Sequence, residues 1–183
     1  GAVRLDATGS MSGPISANLH LAQFPLDWIE PWVDEAGFGG LISGDITLGG
    51  RSEALRVEAD LSSVGLSIPN AVSDLDCDFS ISTGDDTVGW EAEIKSDDNS
   101  LANFGGNLPV KLSLSGVDVD WNGALAIDGV LAPVSNSHWR EGVPSLSSLP
   151  DGRSSASISL SGTLREPVGV INAGVAWRLG TDN

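Results

Sequence analysis

The sequence predicts an all-β protein of antiparallel strands, each with one apolar and one polar face, plus one short amphipathic helix over about residues 26–36. Two observations carry that prediction. Apolar and polar residues alternate with period two in run after run, and turn formers, led by 23 Gly, separate the runs at short intervals. A single stretch departs from this pattern by switching to helical spacing.

The first clear run is ISANLHL at 15–21, where Leu19 and Leu21 fall on the apolar side and His20 on the polar side. LRVEADL at 55–61 repeats it with Leu55 and Val57 inward and charges outward, and Val64, Leu66 and Ile68 continue the alternation. Leu75, Cys77, Phe79 and Ile81 alternate with Asp74, Asp76, Asp78 and Ser80; Val88, Trp90, Ala92 and Ile94 alternate with Gly89, Glu91, Glu93 and Lys95. Later runs hold Val110, Leu112 and Leu114, then Trp121 to Ile127 with Leu125, then Ile158 and Leu160, then Ile171, Ala173, Val175 and Trp177. About ten to twelve strands result.

The exception is PLDWIEPWVDEAG at 25–37. Leu26, Ile29, Val33 and Ala36 lie at helical spacing, Asp27 is suited to an N-cap with Glu30 as its partner, and Gly37 is suited to a stop. Residues 136–153, with Pro144, Pro150 and several serines, read as the longest loop and a place where the chain could subdivide. A repeat of strand, glycine turn and strand also runs through the chain. Gly9 precedes Pro14, Gly162 precedes Pro167, Gly50 precedes Leu55 and Gly129 precedes Pro133, all at intervals of four or five residues. The strand pattern starts almost at Gly1, so residues 1–183 read as one β-segment cut from a longer chain.

A net charge of −16 with nine Lys and Arg argues against nucleic acid, whose binding draws on clustered cations. The lone Cys77 can form no internal disulfide and no thiolate zinc site. DVDWNG at 118–123 matches the opening of a calcium loop, but position twelve is Gly129 rather than a bidentate Glu, so a strand with outward carboxylates is expected. Asp74, Asp76 and Asp78 share a face, yet alternate strand residues stand about 7 Å apart, too far for one ion. His20 and His138 are remote in sequence, and GSMSG at 9–13 has Met where a nucleophile elbow needs Ser. The expectation is therefore no enzyme, no metal and no cofactor.

Period two does not distinguish an open sheet from a β-sandwich, in which the same residues would pack on a second layer. The residues from Phe24 to Leu61, FPLDWIEPWVDEAGFGGLISGDITLGGRSEALRVEADL, bear on this choice. They resemble the recurring unit of the TamB family, a short Pro-Leu helix leading into a glycine-spaced strand, a turn and a returning strand. ISLSGTLREPVGVINA at 158–173 is similar to that family's L-x-G-T-L-x-x-P step. The resemblance implies an elongated, curved antiparallel sheet forming a taco-like trough with an apolar inner face. It also implies a periplasmic segment of a protein anchored in the inner membrane of a Gram-negative envelope and carrying phospholipid toward the outer membrane. The partners implied are phospholipid acyl chains and, through the full-length protein, a TamA-like outer-membrane barrel.

On that reading the groove is lined by Leu19, Leu21, Leu55, Val57, Leu66, Ile68, Phe79, Ile81, Trp90, Ile94, Leu112, Leu114, Leu125, Ile127, Ile158, Leu160 and Val175, with Leu26, Ile29 and Val33 as a helical plug. Acyl chains need only a dry aliphatic surface, at about 0.8 kcal/mol per buried methylene. Two other roles stay open: an assembly factor that offers a sheet edge to nascent outer-membrane strands, and a non-catalytic β-sandwich binding module. Exposed edges would also allow the segment to associate with itself.

Overall fold

The computed structural model describes residues 1–9, 13–28, 37–68, 72–84, 86–96 and 99–177. Ten strands form one sheet in which every neighbouring pair is antiparallel: β1 (Ala2–Gly9), β2 (Ile15–Pro25), β3 (Gly39–Arg51), β4 (Ala54–Ile68), β5 (Val72–Thr83), β6 (Val88–Ser96), β7 (Asn99–Leu108), β10 (Ala126–Ser135), β11 (Gly152–Gly162) and β12 (Pro167–Trp177). They lie side by side in chain order, a meander with no crossover. Between β7 and β10, β8 (Val110–Ser113) and β9 (Gly116–Val119) make a separate two-stranded arm. One helix, α1 (Asn136–Gly142), and a turn of 3-10 helix at Pro144–Leu146 connect β10 to β11.

The sheet is open, and among the described residues no second sheet covers it. A compact monomer of this mass would expose about 8,300 Å². This chain exposes 11663 Å², an excess no close-packed sandwich would show. Apolar side chains that are fully buried among the described residues are correspondingly few: Ala59, Leu75, Leu101, Ala102, Leu125 and Trp139.

Hairpin turns hold the register. Gly50 opposes Leu55 and Gly162 opposes Pro167, as the glycine repeat predicts. Gly50 adopts φ 117, a conformation that side chains with a Cβ rarely reach. The repeat fails at Gly129 and Pro133, which lie inside β10 and not at a turn. Gly129 is glycine for a different reason: a Cβ there would stand 2.5 Å from the Phe104 ring and 2.8 Å from Ile158, whose side chains fill the space above it. Pro133 falls at a register shift between Leu131 and Val134, where its missing N–H leaves no ladder position empty.

Such shifts interrupt the ladder at one end of the sheet. They occur at Leu21/Phe24, Gly39/Leu41, Ser63/Leu66, Leu66/Ile68, Ile94/Lys95 and Leu131/Val134, all in the strand halves that lead to the β2–β3, β4–β5, β6–β7 and β10–β11 connections. A bulge bends its strand and sharpens its twist. Gathered at one end of neighbouring strands, such irregularities favour curvature there. One of them also reverses an expected face: Val64 points outward and is 62 % exposed, while Leu66 returns to the row of Leu75.

The predicted helix is only partly in view. Leu26 to Trp28 form a turn of 3-10 helix, and Ile29 and Val33 lie outside the described residues. An α-helix occupies 136–142, within the stretch read as a loop. Ser135 caps it by accepting the N–H of Ser137 at 3.3 Å.

Candidate functional site: a two-sided sheet

Cross-strand register turns the alternation into continuous rows. Leu5, Leu19, Ile46, Ala59, Ile81, Trp90, Gly106, Ile127, Leu160 and Gly169 oppose one another in succession across all ten strands. The next row on the same face is Val3, Leu21, Gly44, Leu61, Phe79, Ala92, Phe104, Gly129, Ile158 and Ile171. A third runs from Phe24 through Ile42, Ser63, Cys77, Ile94, Ala102, Leu131 and Ala156 to Ala173. The two full rows contain only apolar residues and glycine. With strands about 4.8 Å apart, ten strands span about 43 Å. One leaflet's share of a bilayer core is about 15 Å.

Coverage varies along each row. Ala59 in the middle is 4 % exposed, whereas Leu5 on β1 is 64 % and Ile171 on β12 is 72 % exposed. Leu61, Phe79, Ile81, Trp90, Ile127, Ile158 and Leu160 are half-buried. The face is thus partly shielded at its centre and open toward both sheet edges. Leu55 and Val57 extend it beyond the first row, opposite Gly50 and Leu48. Ile68 opposes Val72 near the bent end, and Val175, 46 % exposed, opposes Ser154 on the open edge.

Leu112 and Leu114 do not belong to these rows. They sit on the β8–β9 arm, where Leu112 is half-buried and Leu114 is 60 % exposed. Pro109 explains the break, since it has no N–H to continue β7. The arm runs along the end of the sheet opposite the bulges. Leu114 donates its N–H to Ser52 at the β3–β4 turn, and Leu125 donates to Gly162 at the β11–β12 turn, both at 2.9 Å. Leu125 is buried where the arm rejoins the sheet.

The bulged end is covered by α1. Trp139 packs with Leu75, Leu101 and Ala102, and Val143, Leu146 and Leu149 close around them. The helix touches β5 as well as β10 and β11, so it reaches across the ends of β6 and β7 from one flank to the other. Residues 136–149 thus close over this end of the apolar face, while Ile29 and Val33 of the expected plug lie outside the described residues. Seven residues give barely two turns, too few for periodicity to register.

The opposite face is polar. Arg4, His20, Asp45, Asp60, Ser80, Glu91, Gly105, Asp128 and Ser159 form one of its rows. A cleft of about 700 Å³ runs along this face, floored by the backbone of the second apolar row and flanked by Asp60, Asp78, Glu91, Glu93 and Asp128. Period two places those carboxylates outward but gives no sign of a cleft. Lys95 bridges Asp78 at 2.5 Å and Glu93 at 3.1 Å. Hydrogen bonds from Ser100 and then Lys95 hold the Glu93 carboxyl below its ordinary range, and bonds to Asp78 and then Glu93 hold the Lys95 ammonium above its own. On the apolar side, burial followed by the neighbouring Asp78 raises the Cys77 thiol.

The acidic stretches have structural partners. Asp76 accepts the Gly65 N–H at 3.0 Å, Asp78 holds Lys95, and Asp120 accepts the Asn122 N–H at 3.0 Å to shape the turn at 120–123. Among the described residues no group of three or more His, Cys, Asp or Glu is placed to hold a metal ion, and no helix is long and apolar enough to cross a membrane. No family model, no curated protein and no solved structure matches the chain.

Proposed function

We propose that this chain is the acyl-chain-carrying segment of a longer envelope protein of the TamB type, located in the periplasm and passing phospholipid between the inner and outer membranes. The observation that supports this reading most directly is the pair of apolar rows crossing ten strands without a polar interruption. Such a surface offers tails a dry bed and imposes no requirement on the headgroup, as a carrier of mixed phospholipids needs. The acidic outer face keeps so apolar a sheet dispersed in water. The purified chain is expected to carry phospholipid through gel filtration, read by solvent extraction and mass spectrometry. Material free of lipid after expression in a Gram-negative host and after incubation with phosphatidylethanolamine vesicles would count against the reading.

A second reading, strand addition during assembly of outer-membrane barrels with a TamA-like partner, draws on β12. Edge strands are commonly guarded by charges. The eleven residues of β12, PVGVINAGVAW, contain none, and Val168, Val170 and Ile171 are more than half exposed. A synthetic β-strand peptide should protect β12 amides from exchange if this edge accepts strands, and Val170→Lys should abolish that protection.

A further inference from the structure

We propose that the segment from Ser135 to Asp151 is a lid over the bulged end of the apolar face, and that it lifts as a unit to uncover that end. The proposal builds on the apolar face as the working surface of the protein. The segment's polar contacts fold back on itself. Asn136 donates to the Pro150 carbonyl at 2.7 Å, and Arg140 donates to the Leu149 carbonyl at 3.2 Å and to Asp151 at 2.9 Å. Val143, Leu146 and Leu149 donate their N–H groups back to Trp139, Val143 and Leu146. This unit keeps its own bonds wherever it sits.

What holds it down is apolar: Trp139 against Leu75, Leu101 and Ala102. Polar atoms oppose that closure. Asn136 Oδ1, His138 Nδ1 and Trp139 Nε1 on the lid, and Ser154 Oγ beneath it on β11, are all shut off from solvent and have no hydrogen-bond partner among the described residues. Asn136 is 0 % exposed and Trp139 6 %, so bulk solvent does not reach them while the lid is down. Each such orphan weakens the closed state, and each regains hydration when the lid lifts. A fixed structural cap would be expected to satisfy these groups. The stem at Gly152 has φ 153, a backbone setting open to glycine, which suits a pivot. Ala102 beneath the lid belongs to the third apolar row and Leu101 adjoins it, so lifting the lid extends the same surface that the rows present.

The test uses the full chain with Cys77→Ser and a reporter thiol at Ala102→Cys, which is 1 % exposed beneath Trp139, labelled by a maleimide. Labelling is expected well ahead of global unfolding and ahead of an Ala59→Cys control, which is buried on the same face outside the lid. Ser154→Ala removes an orphan without touching the apolar contacts, and it should slow labelling roughly tenfold; Trp139→Ala should speed it by at least as much. In the unsubstituted chain, amides of 136–149 should exchange hydrogen by a lower-energy opening than those of β4 and β5. Labelling at the rate of global unfolding, unmoved by Ser154→Ala, would overturn the lid, as would exchange of 136–149 only with β4 and β5. Uptake of a pyrene-labelled phosphatidylcholine from vesicles separates this from the functional reading. If no variant takes up the probe while labelling responds as stated, the carrier reading falls and the lid stands.

Discussion

Leu101→Ala tests where this open protein keeps its stability. Leu101 is 0 % exposed and belongs to the cluster of Leu75, Ala102 and Trp139. The substitution removes three carbons, which at about 0.8 kcal/mol each gives about 2.4 kcal/mol of lost transfer energy. A residual cavity adds to this, and leucine truncations in rigid cores reach about 5 kcal/mol. Here α1 can settle into the gap, so the expected loss is about 3 kcal/mol. For a chain of this size that lowers the melting temperature by about 6–12 °C. Leu5→Ala, on the same face but 64 % exposed, should lose less than about 0.5 kcal/mol. Urea titrations followed by circular dichroism measure both. Equal losses at the two positions, or less than about 1 kcal/mol at Leu101, would refute a stability concentrated under the lid.

Two further predictions concern the rows themselves. A Cβ on Gly106 would meet the Ala126 carbonyl and the Ile127 Cα, backbone that cannot rotate away, so Gly106→Ala should destabilise by about 1–3 kcal/mol. Gly49→Ala meets nothing within 4 Å and should be neutral or stabilising in the same titration. Glu93 sets a pH dependence. Its carboxyl is held below the ordinary range, so its contribution is present above about pH 4.3, the unfolded value, and is lost as pH falls through the folded value. Glu93→Gln should lower stability at neutral pH, leave it unchanged below the folded value, and so flatten the fall between the two.

Much of the sheet was legible because period two fixes which face a side chain takes, whatever the strand pairs with. Val57, Phe79, Ile81, Trp90 and Ile127 could be assigned to one face on that basis alone. Continuity across strands was legible only where glycine turns set the register, as at Gly50 and Gly162. The bulges were not legible, because an extra residue in a strand leaves no compositional mark; Val64 was misplaced for that reason. Gly129 looked like a turn because a glycine that makes room for Phe104 and one that reverses the chain read the same. Leu112 and Leu114 alternate as well as any strand pair, but sequence does not say which sheet a strand joins. Helix α1 was hidden by its shortness and by the serines and prolines around it.

Site-specific photo-crosslinking in cells tests the central claim most directly. Crosslinkers at Val57, Phe79 and Ile81 on the apolar rows should capture phospholipid, and crosslinkers at Glu58, Ser80 and Glu91, their neighbours on the polar face, should not. Equal capture from both faces, or capture from neither, would contradict an apolar trough that carries lipid.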